Sequence, residues 1–230
     1  MSRRTVILGL LAIWGVFAAA GFRSCGGQGP KSPELASKPV LGSADPSEAT
    51  QAYWLAARQV SIHSAQSTIK AAEVQRRAGT IKSSADAERV WAELAGEYSR
   101  SAEVNADAVR DLKSLPAERV DPVAVECVTE LGDLLALRAD LFQKSGEDCR
   151  DMAALFAMVR AEGEGFDWSG PKGKAYERRE AVLTARMKET AANEGAAEKR
   201  RLAELAGKAR RAGDALSKRH GRDFPDLLGH

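Results

Sequence analysis

The sequence predicts an all-α chain: an elongated antiparallel four-helix bundle, up-down-up-down and coiled-coil-like, after an N-terminal apolar helix. Three observations carry that expectation. Aromatics make up only 6% of the 230 residues while charged residues reach 29%, and the abundance of Ala, Leu, Glu, Lys and Arg favours helix over sheet. Apolar residues recur at three- and four-residue steps over four long stretches. Two of those stretches open with the same device, Asp45-Pro46 and Asp121-Pro122. There an aspartate N-cap precedes the one helical position where proline's missing N–H costs nothing.

Residues 1–22 read as a signal peptide or signal anchor. Arg3 and Arg4 precede a charge-free apolar run from about Thr5 to Ala20, and Ala18-Ala19-Ala20 offers small side chains for cleavage. Counted to Phe22, the run reaches the roughly 17–25 residues that a membrane span needs. Ser2-Arg3-Arg4 also looks like part of a twin-arginine export motif, loosely continued by Val6, Ile7 and Leu8. A lipid-anchoring box at Cys25 is disfavoured by Arg23 and Phe22, where small neutral and aliphatic residues are usual. Cleavage, lipidation at Cys25 and retention as an anchor all stay open. Each places the rest of the chain outside the cytoplasm, either tethered to the inner membrane by an uncleaved helix or periplasmic or secreted after cleavage near Ala20. Residues 23–44 read as a flexible linker, in which 26–44 carry repeated Gly, Pro and Ser and have a reach on the order of 24 Å.

The bundle is expected over 45–220, with helices at about 46–78, 84–115, 122–163 and 174–219, and 221–230 as a tail. In the first helix Leu55, Ile62 and Ile69 recur every seven residues. The second starts near Ser83 or Ser84, carries Trp91, Leu94, Tyr98, Ala102, Asn105, Val109 and Leu112, and stops before Pro116. In the third, Val128, Leu131, Leu135, Arg138, Phe142, Ser145, Cys149, Met152, Phe156 and Val159 keep phase across "QKSGEDC". That phase predicts one continuous helix, with Gly146 as the place where it would break. The fourth carries Tyr176, Leu183, Met187, Thr190, Ala197, Leu205, Ala209, Ala212 and Leu216 less strictly. Cys127 and Cys149 are the two cysteines of the bundle. On one helix they lie about 33 Å apart, and folding back at Gly146 still leaves about 24 Å, far beyond disulfide reach.

Net charge is +2, so the total names no partner, but the distribution is uneven. Lys199, Arg200, Arg201, Lys208, Arg210, Arg211, Lys218, Arg219 and Arg222 crowd the last helix and its end, opposed by Glu204 and Asp214. That is the pattern of a basic amphipathic helix. An up-down-up-down bundle returns this segment to the end where the first helix leaves the membrane anchor. Anionic headgroups or an acidic partner would then meet it; the plainer alternative is a solvated face partly neutralised by the acid-rich segment 103–167. Asn105 and Arg138 fall on otherwise apolar stripes, either as devices that fix helix register or as a polar pocket for a small ligand.

No nucleotide-binding loop, nucleophile elbow or metalloprotease motif occurs, and neither does the di-iron Glu-x-x-His spacing. His63 is read as a partly buried, hydrogen-bonded residue, and His220, Asp223, Asp226 and His230 do not have zinc-motif spacing. No catalytic, cofactor-binding or metal-binding residue is therefore expected. Nucleic acid is not expected either, since no base-stacking aromatics interleave with the charges. The reading is a non-enzymatic cell-envelope bundle acting through protein or membrane-surface contact. An extracytoplasmic small-ligand-sensing bundle working with a partner is the alternative, its layout being similar to the sensor domains of bacterial chemoreceptors. An enzyme ranks third.

Overall fold

The computed structural model describes residues 45–78, 81, 83–163 and 166–229, with backbone alone for 67–78. The apolar N-terminal run, the linker, Cys25 and His230 lie outside them. No helix among the described residues is long and apolar enough to cross a membrane.

The fold is an all-helical bundle. Helices α1 (Pro46–Ala78), α2 (Ser84–Ser114) and α3 (Pro122–Ala161) are each continuous. The fourth helical stretch is α4 (Pro171–Thr190), a π turn (Ala191–Gly195) and α5 (Ala196–His220). Proline occupies the first position of α1, α3 and α4. The Asp45 carboxylate accepts the Ser47 N–H at 2.9 Å, and Asp121 repeats this with Val123 at 2.9 Å. Ser83 caps α2, accepting the Asp86 N–H at 3.1 Å while its hydroxyl donates to the Asp86 carboxylate. α4 starts at Pro171 rather than near Lys174, because Gly173 lets its first turn press on the preceding loop; a methyl group there would stand 2.3 Å from the Trp168 carbonyl oxygen. α3 runs through Gly146 unbroken, and Cys127 and Cys149 on it are buried free thiols. The looseness of the last apolar stripe coincides with the π turn, which inserts an extra residue into that helical turn.

The chain divides into two compact units. The second unit comprises residues 45–66, 105–137 and 198–229. Its core joins Trp54, Ala57, Leu112, Val128, Leu131, Leu134, Leu135, Leu205 and Leu216. The first turn of α1 meets both the start of α3 and the end of α5. Asp121 N–H donates to Thr50 Oγ1 at 3.0 Å, and Ser47 Oγ lies 3.1 Å from His220 Nδ1.

Two expectations change here. The buried face of α1 runs through Thr50, Tyr53, Trp54, Ala57, Ser61 and Ser64, while Leu55 is exposed. Trp54, the largest side chain on the helix, sets that face. Residues 221–229 are no loose tail: Phe224, Leu227 and Leu228 are buried in this core. α1 holds them as a strap. Gln51 Nε2 donates to the Asp223 carbonyl at 2.9 Å, Trp54 Nε1 to Pro225 at 2.7 Å and Arg58 Nε to Asp226 at 2.9 Å. Gly213 lets the strap approach α5, since a methyl group there would stand 3.0 Å from the Phe224 carbonyl oxygen.

The first unit, residues 67–78, 81, 83–104, 138–163 and 166–197, has a core of Trp91, Leu94, Tyr98, Cys149, Met152, Leu155, Tyr176, Leu183 and Met187. Gly146 brings α3 close to α2, where a methyl group would stand 3.3 Å from Ser99 Oγ. Tyr176 donates its hydroxyl to Glu162 at 2.6 Å, tying α4 to the end of α3.

Glu180 lies between Tyr176 and Leu183 on the inward stripe of α4. Burial, with Glu177 beside it, pushes its carboxyl up to about 7. A carboxyl raised above its unfolded value near 4.5 favours the protonated folded state. Its contribution is therefore full at low pH and is lost as pH rises through about 7. Glu180→Gln is expected to raise stability at about pH 8 by about 1 kcal/mol, allowing for partial solvent screening. The gain should disappear at about pH 4, as thermal melts at the two pH values would show.

Candidate functional site

The basic cluster of α5 and its end lies wholly in the second unit. Leu205, Ala209, Ala212, Gly213 and Leu216 turn one face of α5 into the core. At about 100° per residue the remaining arc carries the charges, and the structure sorts them into two groups.

Four are held by acids. Lys208 Nζ lies 2.6 Å from both Glu126 and Glu130, which stand one turn apart on α3. Arg201 reaches Asp133 at 3.5 Å, one further turn along the same row. Arg219 pairs with Asp121. Arg222 pairs with Glu48 at 3.0 Å and Asp45 at 3.4 Å. Hydrogen bonds to Glu126 and Glu130 raise the Lys208 ammonium pKa, so this cation is locked in the charged state.

The other five, Lys199, Arg200, Arg210, Arg211 and Lys218, have no ion pair among the described residues. All but half-buried Lys199 are exposed. Arg200, Arg211 and Lys218 are spaced by eleven and seven residues, close to whole turns, and form a row about 27 Å long. Arg210 flanks it, and the exposed acids Glu204 and Asp214 interrupt it. The sequence reading placed all nine basic residues in one group. The row Glu126, Glu130, Asp133 on α3, spaced by four and three, was the available signal that some would be consumed internally.

One end of this unit holds a polar cluster that the sequence did not suggest. His220 Nε2 lies 3.1 Å from Asp121 Oδ2 and its Nδ1 lies 3.1 Å from Ser47 Oγ, so the imidazole bridges α3 and α1. Burial alone would raise the Asp121 carboxyl. The Val123 N–H, Arg219 and His220 outweigh it and hold the group below the usual carboxylate range. Asp121 thus caps α3, anchors the end of α5 and meets Thr50 through its own N–H. Those contacts tie the start of α1, the start of α3 and the end of α5 together.

Asn105 is fully buried in the second unit and accepts the Ser64 hydroxyl at 2.7 Å, pairing α2 with α1. Arg138 is half-buried and belongs to the first unit, so the structure does not gather these two into one unit. His63 is exposed rather than partly buried, because the inward face of α1 is turned by the Trp54 register. No group of three or more metal-ligating side chains occurs among the described residues. Comparison with known proteins finds no family model, no curated protein and no solved structure that matches this chain.

Proposed function

We propose that this chain is a non-enzymatic helical bundle that docks on an anionic membrane surface through the unpaired basic row of α5. The sorting of charges supports this: Arg200, Arg210, Arg211 and Lys218 remain outward with no ion pair among the described residues, while α3 and α1 neutralise their neighbours. The Arg222–Asp45 contact adds support, because it puts the residue where the apolar N-terminal segment and linker would join beside the end of α5. The contacts between the first turn of α1, the start of α3 and the end of α5 also favour an antiparallel, up-down-up-down, coiled-coil-like bundle. In this reading the N-terminal segment is an export signal or anchor and the bundle works outside the cytoplasm.

Each basic residue near an anionic surface contributes about 1 kcal/mol. Four of them, offset by Glu204 and Asp214, leave a net preference of about 2 kcal/mol, roughly thirtyfold. The full chain should therefore co-sediment more strongly with phosphatidylglycerol-containing vesicles than with phosphatidylcholine vesicles. The excess should shrink as salt is raised. Equal binding to both compositions at low salt would remove the proposal. A second reading, a small-ligand-sensing bundle working with a partner protein, draws on a charged cavity in the first unit.

A further inference from the structure

The first unit contains a cavity of about 200 Å³ lined by Lys144, Glu147, Asp148, Asp151, Arg186 and Thr190. Its rim borders the π turn, which begins at the residue after Thr190. Insertions of this kind interrupt regular helix and recur at functional sites.

The charges around the cavity do not balance. Arg186 is shared between Asp148 at 2.5 Å and Asp151 at 2.6 Å. Lys144 is drawn to Glu194 of the π turn at 2.6 Å. Glu147 is met by the neutral amide of Gln143 at 2.8 Å. Two cations and three carboxylates thus line the cavity, and one of the cations, Lys144, is already engaged by Glu194 outside the lining. Each ion pair engages one oxygen of its acid, and a carboxylate can accept about four hydrogen bonds. Asp148 is the most enclosed, its side chain only 7% exposed. Burial raises its carboxyl pKa even against the opposing pull of Arg186. Another positive charge at this place would replace hydration that the acid has lost. At roughly 30 Å³ for each water, the volume suits a molecule of about six or seven non-hydrogen atoms.

We propose that this cavity binds a short aliphatic diammonium cation, one ammonium directed to the enclosed Asp148 and the other to the more open Glu147 and Asp151, with Thr190 at the rim. The site is separate from the basic row of α5, so failure of either proposal leaves the other standing.

The test is isothermal titration calorimetry and thermal shift on the full chain with putrescine, butylamine and glutamate as probes. Putrescine should give saturable heat and raise the melting temperature, and butylamine, with one ammonium, should bind at least about tenfold more weakly. The double variant Glu147→Gln/Asp151→Asn should lose at least about tenfold in putrescine affinity. Both substitutions keep side-chain shape, and circular dichroism would verify the fold. Absence of saturable putrescine heat would overturn the proposal. So would equal affinity for butylamine, tighter binding of glutamate, or unchanged affinity in the folded double variant.

Discussion

Trp54→Ala is expected to lower the unfolding free energy by about 3–5 kcal/mol and to free the C-terminal strap. Trp54 is fully buried, stands edge-on to Phe224 at 6.1 Å between ring centroids, and donates its indole N–H to the Pro225 carbonyl. Alanine removes the largest piece of the second unit's core and one of the three side-chain bonds that hold residues 223–226 on α1. Trp54→Phe separates the two effects. It keeps most of the apolar packing but leaves the Pro225 carbonyl without its donor, at a cost of about 1–3 kcal/mol. Denaturant melts give the totals, and hydrogen exchange over 222–229 shows where they act. A loss below about 1 kcal/mol in Trp54→Ala would mean that the strap is not part of the core.

Asp121→Ala should be the most costly single change among the charged residues, at about 2–3 kcal/mol. The substitution removes the cap of α3 and the common partner of Arg219 and His220. Arg219 is 55% exposed and can recover hydration, which keeps the loss below that of a fully buried pair. The pH dependence gives a second readout. Because the folded carboxyl lies below its unfolded value, its contribution is present above the unfolded pKa and is lost as pH falls through the folded one. Asp121→Asn should therefore flatten part of the acid limb of the melting-temperature profile. An unchanged acid limb would assign the acid sensitivity to other carboxylates.

Helices were legible in this sequence where capping chemistry and periodicity agreed. Asp45-Pro46 and Asp121-Pro122 mark the observed starts of α1 and α3, and the α3 stripe from Val128 to Val159 keeps phase through Gly146 as the continuous helix does. The face of α1 was misread because Leu55 and Ile62 make a good heptad by themselves. What decides the rotation is a contact of long sequence separation, Trp54 with Phe224 and Pro225, to which local periodicity is blind. The same blindness made "DFPDLL" look like a tail: a short apolar run without a helical period gives no sign of where it docks. The π turn had only the loosened stripe as its trace. The basic cluster was visible as composition, yet its division into paired and outward residues depends on which acids of α3 and α1 face it.

The outward row is tested most directly by vesicle partitioning of a full chain carrying Arg200→Glu, Arg210→Glu, Arg211→Glu and Lys218→Glu. These exposed residues have no ion pair among the described residues, so the fold should be retained. The roughly thirtyfold preference of the unaltered chain for phosphatidylglycerol-containing over phosphatidylcholine vesicles is expected to disappear in the variant. Any binding conferred by the apolar N-terminal run would then be the same to both compositions. A folded variant that keeps the full anionic preference would contradict the assignment of this surface.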